Sequence, residues 1–186
     1  MEFLTEVWRT IFLVAHIISV MVAIGAVSVT DYFHLIGLRK KSLEKKMLFV
    51  YPILGRMILL ATFLIILTGA VLLANKPYLF DSPLFKLKLV LFGIVLINGF
   101  VLHKHVYPHV IRCVLNKKGT CPLHVLWVSS VCGTLSIVTW YSILILALTK
   151  SFVYSVQSFL MYYFLALILV FLIAFFNEEK ARIWKG

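Results

Sequence analysis

An all-α bundle of five membrane-spanning helices is the fold this sequence predicts, and three observations carry the prediction. Of 186 residues, 62% are hydrophobic and only 13% are charged, with a mean hydropathy of +1.04. Soluble domains carry about 25% charged and 45–50% apolar residues, so this chain has too little polar surface to cover a soluble particle. The apolar residues also fall into five runs of membrane length, since about 20 residues at 1.5 Å each cross the roughly 30 Å hydrocarbon core. Lastly, the basic residues behind the net charge of +11 lie mainly between those runs, where they orient helices and meet anionic headgroups. No polar stretch is long enough to form a nucleic-acid-binding fold, so the charge implies no nucleic-acid partner. A single domain is expected over residues 1–186.

The first helix is expected over about 10–38. It is too long for a cleaved signal h-region of about 7–15 residues and follows Glu2 and Glu6 rather than a basic segment, so it reads as a retained helix. His16 and His34 lie five ideal turns apart on one face, with Ala23 and Val27 between them and Asp31 close to His34. Ionisable groups are costly against lipid, so this face is the inward stripe. In the second helix, about 49–74, Gly55, Thr62 and Gly69 repeat every seven residues and let a neighbour approach closely. Thr62 and Thr68 are expected to bond back to the preceding turn, and Arg56 to snorkel.

Asn75–Pro83 is a turn-rich loop. The third helix, about 84–107, opens on Lys86 and Lys88, carries Asn98 and ends among histidines. Its run, Phe85–Pro108, is the one the other four helices are expected to wrap. The fourth helix, about 123–148, has Ser129, Gly133, Ser136 and Trp140 as a stripe and Cys132 as core packing. The fifth covers about 152–176, and a polar tail follows with Trp184 suited to the interface.

Basic residues alternate between few and many from one connection to the next. The positive-inside rule then puts the N-terminus outside, the C-terminus in the cytoplasm, and the 39–46 and 104–122 loops in the cytoplasm. Cys113 and Cys121 would be reduced there, and the three cysteines form no even disulfide framework. The expected location is a bacterial-type inner (plasma) membrane.

Two layers could carry chemistry. In the outer one, His16 lies about 10 Å along the first helix, near the level of Lys86, Lys88, Trp140, Tyr141, Tyr162 and Tyr163. An intramembrane histidine can ligate haem iron or a soft metal, relay protons, or lock the bundle by a hydrogen bond. In the inner layer, His103, His105, His109, Cys113, Cys121 and His124 fall close together. On a continuous α-helix His105, His109 and Cys113 share the face of Asn98, and Asp31 and His34 arrive at similar depth. Imidazole and thiolate suit Cu(I) or Zn(II). Pro108 would bend the helix between these ligands. The one histidine pairing that fits a bis-histidine haem is His34 with His105 or His109. The sequence holds no nucleophile triad, P-loop, GxGxxG or HExxH, which points away from those enzyme classes.

The segments LGRMILLATFLIILTG and SPLFKLKLVLFGIVLING, followed by Pro108, resemble the membrane domain of the copper-resistance protein D (CopD) family. The resemblance rests on Thr68-Gly69, Pro83 with Phe85, Lys88-Leu89, Asn98 and Pro108, over residues about 50–110. It implies binding or translocation of a metal ion, copper before others. Asp31 would attract the cation, and His34, His105, His109 and Cys113 would ligate it. Asn98 and His16 would complete the polar path. The first helix also looks loosely like that of the HemJ-type membrane protoporphyrinogen oxidases, which carry a helix-one histidine and a helix-three lysine. This chain has Asp31 where those proteins have a late helix-one arginine. That likeness implies haem b or a porphyrin held by His16, Lys88 and Trp140. A further alternative is a non-catalytic assembly subunit whose polar stripe only packs helices. The expected partners are the lipid bilayer, a metal ion, and a second copy or another membrane subunit.

Overall fold

The computed structural model describes residues 2–40, 45–109, 112, 123–149 and 155–183. Helices α1 (Glu2–Lys40) and α2 (Lys45–Ala74) come first. A short 3-10 turn (Pro77–Asp81) then leads into α3 (Pro83–Val101), which widens into a π turn over Leu102–Val106. Helices α4 (Leu123–Leu148) and α5 (Val156–Ile183) complete the bundle. All five are long and apolar enough to cross a membrane. Pro83 opens α3, where its missing N–H costs nothing and its fixed φ suits a first turn. Helix α5 continues beyond Phe176 through the Asn-Glu-Glu-Lys-Ala-Arg segment expected as a polar tail. Glu, Lys, Ala and Arg are strong helix formers, so the helix has no reason to stop where the apolar run does.

The distribution of polarity is inverted relative to a soluble protein. Met21, Leu59, Leu60, Phe63, Ile97 and Phe164 face outward, whereas Ser19, Thr68, Asn98, Ser129, Thr134, Ser136, Thr139 and Ser142 are buried. Hydrocarbon is as good a solvent as the core for Leu and Phe, so the helices turn small and hydroxyl-bearing surfaces toward each other.

That rule also decides which helix is central. The run Phe85–Pro108 was expected at the centre, but α4 holds that place. Helix α4 packs against α1, α3 and α5 and is the most buried of the five. Ser, Thr and Gly recur on several of its faces and admit neighbours from several directions. Helix α3, rich in Leu, Ile, Val and Phe, leaves Leu89, Val90, Leu96, Ile97 and Phe100 on the outside.

Two apolar clusters flank α4. One joins Ala23, Ile24 and Val27 of α1, Ala61 and Ile65 of α2, Val95 of α3 and Trp140 of α4. The other joins Leu91 of α3, Val138 and Leu146 of α4, and Phe159 and Tyr163 of α5. Ile143 touches both, and the Trp127 ring adds contacts to Phe171 and Phe175 of α5.

Among the described residues at least four hydrogen bonds tie the packed pairs together, and three share one device. The Thr68 hydroxyl donates to the Leu64 carbonyl of its own helix, which leaves its oxygen to accept from His16 Nδ1 at 2.9 Å. Ser28 bonds back to Ile24 and meets Tyr141 Oη at 3.1 Å. Thr139 bonds back to Leu135 and meets Tyr163 Oη at 2.9 Å. In each case a back-bonded hydroxyl accepts from a ring donor on another helix, linking α1 to α2, α1 to α4, and α4 to α5. The fourth bond runs from Asn98 Nδ2 of α3 to the Cys132 carbonyl of α4 at 2.9 Å. A double-mutant cycle of Thr139→Val with Tyr163→Phe, read by unfolding in bicelles, should give a coupling of about 0.6 kcal/mol. Such bonds are weak in membranes because the unfolded helices also find partners.

Candidate functional site

The inward stripe expected on α1 is real: Ala23 and Val27 are sealed in the core. The stripe carries a polar residue near each end of the membrane span, and these define two layers.

In the layer near the start of α1, His16 is half-buried and held by Thr68. Thr68 has one proton and gives it to Leu64, so His16 Nδ1 is the donor in their bond and Nε2 keeps the lone pair. Gly69 makes room for the ring: a Cβ there would lie 3.3 Å from His16 Cε1. The expected close approach along α2 is thus met at Gly69, whereas a Cβ at Gly55 would meet nothing within 4 Å. Gly69→Val is expected to push the imidazole off Thr68 and loosen α1 from α2, at about 1–3 kcal/mol, the usual cost of overpacking. Gly55→Ala should be near neutral in the same unfolding measurement.

Of the other residues expected in this layer, Trp140 is 2% exposed. It is packed in the α1–α2–α3–α4 cluster with Phe92 edge-on at 6.4 Å. Lys86 is exposed and Lys88 half-buried at the start of α3. Tyr141 and Tyr163 serve the helix-tying bonds already described.

The second layer lies at the end of the bundle where α1 leaves, α2 enters and α3 leaves. Asp31 of α1 is half-buried as a residue, but its Oδ2 is enclosed and has no hydrogen-bond partner. Tyr51 of α2 is 5% exposed, and its Oη likewise has no partner. The Tyr51 ring meets that of Tyr107 edge-on, with centroids 5.1 Å apart. On the α4 side the wall is Gly133, where a Cβ would lie 3.8 Å from Asp31 Oδ1. Asp31 of α1 thus faces α4 at Gly133, while Tyr51 of α2 packs on Tyr107 after α3. Asp31 Oδ2 and Tyr51 Oη are the buried side-chain atoms left unsatisfied among the described residues.

Tyr107 reaches this place because of the π turn. The buried face of α3 runs through Leu91, Val95 and Asn98. On an uninterrupted α-helix it would continue to His105 and His109. A π turn takes in about one extra residue and rotates everything after it. Val106 therefore comes inward at 5% exposed and Tyr107 stacks on Tyr51. His103, Lys104, His105 and His109 face outward. The shared face expected for Asn98, His105 and His109 is thus divided by the π turn. His109 Nδ1 donates to the His105 carbonyl at 2.6 Å, and Lys104 Nζ lies 5.3 Å from the Phe100 ring centroid. Asn98 spends its amide on the Cys132 carbonyl.

Cys113 and Cys121 lie outside the described residues, as do the side chains of His34 and His124. Among the described residues no group of three or more His, Cys, Asp or Glu side chains stands close enough to hold a metal ion.

Tyr51 and Tyr107 were not singled out from the sequence. Tyrosine near a membrane edge normally reads as an interfacial anchor, and only the packing of α2 on the end of α3 brings these two rings together.

Five apolar helices with a hydroxyl-lined interior define the class of multi-pass membrane proteins, here with an acidic residue at one end of the bundle whose Oδ2 is enclosed. No family model, characterised protein or solved structure matches this chain.

Proposed function

We propose that this protein sits in a bacterial-type inner membrane, N-terminus outside, and binds or translocates a cation whose point of attraction is Asp31. The observation that carries the reading is the enclosed, unpartnered Oδ2 of Asp31, facing α4 at Gly133. A carboxylate inside a membrane bundle costs several kcal/mol unless paired, so its persistence marks an ion or proton path by default. The copper-resistance D resemblance supports the same class of function from the sequence side. The carboxyl oxygens of Asp31 are hard ligands and suit Cu(I) poorly. A copper path would draw on His34 and Cys113.

Current recordings on solid-supported membranes test the reading. Reconstituted protein is given concentration jumps of Cu(I), Zn(II), Na+ and H+ in turn. At least one jump is expected to produce a current that Asp31→Asn abolishes. No current with any of the four, or undiminished current in Asp31→Asn, would refute the proposal.

A second reading, a haem-binding redox protein, has one observation in its favour. His16 donates Nδ1–H to Thr68, which orients the ring and leaves Nε2 as the ligating nitrogen, as in many metal-bound histidines. A Soret band in the detergent-purified protein, lost in His16→Ala, would establish it.

A further inference from the structure

We propose that the outer face of α3 and the segment after it bind one anionic phospholipid, with its acyl chain along Ile97 and Phe100 and its headgroup phosphate on Lys104 and Arg112. This goes beyond the cation reading, which concerns the inward face of the bundle.

Depth is the first support. Lys104 follows Lys86 by 18 residues, about 27 Å along a helix axis, close to the roughly 30 Å of the hydrocarbon core. Both lysines are exposed. A cation is costly against acyl chains, so the two mark the two headgroup levels. Between them the outer face of α3 is apolar, with Val90, Ile97 and Phe100 exposed. Ile97, Phe100 and Lys104 stand at helical spacing on one side of α3. That surface passes from hydrocarbon-facing to cationic within about one turn, as a phospholipid passes from chain to phosphate.

The placement of charge is the second support. An uninterrupted α-helix would turn His105 and His109 inward with Asn98. The π turn leaves His103, Lys104, His105 and His109 exposed, and Arg112 is exposed as well. His105, His109 and Arg112 then follow one another at helical spacing. The Lys104 Nζ rests 5.3 Å from the Phe100 ring centroid, which holds the ammonium at the edge of the apolar face. His109 commits Nδ1 to the His105 carbonyl, so its Nε2 can donate to a phosphate oxygen when the ring holds a second proton. The Tyr51–Tyr107 contact sets the start of α2 beside the end of α3, and α2 opens on Lys45 and Lys46. Asp31 at the same end has its Oδ2 enclosed. Lys and Arg attract anionic headgroups, whereas a zwitterionic lipid brings an ammonium of its own that these cations repel.

The test is native mass spectrometry of the full chain, released from micelles holding equal phosphatidylglycerol and phosphatidylcholine with the same acyl chains. Wild type is expected to retain phosphatidylglycerol at least fivefold over phosphatidylcholine. Lys104→Gln should lower that preference about fivefold, the usual effect of one basic residue at a membrane surface, and adding Arg112→Gln should abolish it. Lys104→Arg should keep it. Lys86→Gln, which removes one charge at the other end of α3, should leave it unchanged, as should Asp31→Asn. Thermal unfolding in lipid-free detergent should be the same for wild type and these Lys and Arg variants, which separates loss of the site from loss of fold. Equal retention of the two lipids by wild type would overturn the proposal. So would equal losses in Lys86→Gln and Lys104→Gln, which would reflect net charge rather than a site. Displacement of the lipid by millimolar inorganic phosphate would overturn it too, because the site would then take a free anion. Since the readout does not involve Asp31, the lipid site and the cation reading stand or fall separately.

Discussion

Asp31→Leu is expected to make the protein more stable, by about 1–4 kcal/mol, while abolishing transport. Replacing an uncompensated buried ionisable group with an apolar one of similar size commonly stabilises by that amount. Here the group's Oδ2 has no hydrogen-bond partner to lose. The Gly133 side of the site leaves space, since even an added Cβ there would stand 3.8 Å from the carboxyl. Asp31→Asn keeps the shape and removes the charge, but leaves a buried amide to satisfy, so its gain should be smaller. Unfolding in mixed micelles measures both. A loss of stability in Asp31→Leu would show that the carboxyl has stabilising partners, and the site would then be structural. Opposite signs for stability and transport are what a functional group held at a cost produces.

The largest destabilisation is expected from Trp140→Ala, at about 2–4 kcal/mol. Large-to-small changes of this kind cost about 3–5 kcal/mol in soluble cores. Part of that cost is transfer from water, which largely vanishes when the unfolded helices remain in lipid. What remains is the cavity and its lost contacts. Trp140 is 2% exposed and wedged among α1, α2 and α3, so its removal opens a void on that side of the central helix. Tyr141→Phe, one residue on, loses only a single 3.1 Å bond to Ser28 and should cost well under 1 kcal/mol. Comparable effects from the two substitutions would mean that packing around α4 is looser than the structure has it.

Much of the architecture was legible in the chain because a membrane simplifies the rules. Helix count follows from run length, and the inward face of α1 from the cost of ionisable groups against lipid. The bonding of Thr68 back to its own helix follows from local geometry. The candidate site was half legible. Asp31 stood out as an acid inside an apolar run, whereas Tyr51 and Tyr107 looked like ordinary interfacial aromatics. His105 and His109 looked like partners of Asn98 only while the helix was assumed to keep 3.6 residues per turn.

By itself, then, the sequence determined that five helices form, that they present small and hydroxyl residues to one another, and that an acid lies among them. Those properties depend on composition and on the α-helical period, which act over a few turns. Tertiary structure decided which helix is central, which hydroxyl accepts from which ring, and which residue faces the Asp31 carboxyl from α4. The reason is that α4 owes its place to several faces acting together, and that one π turn in α3 resets the register of every side chain after it. Neither effect has a signal in local periodicity.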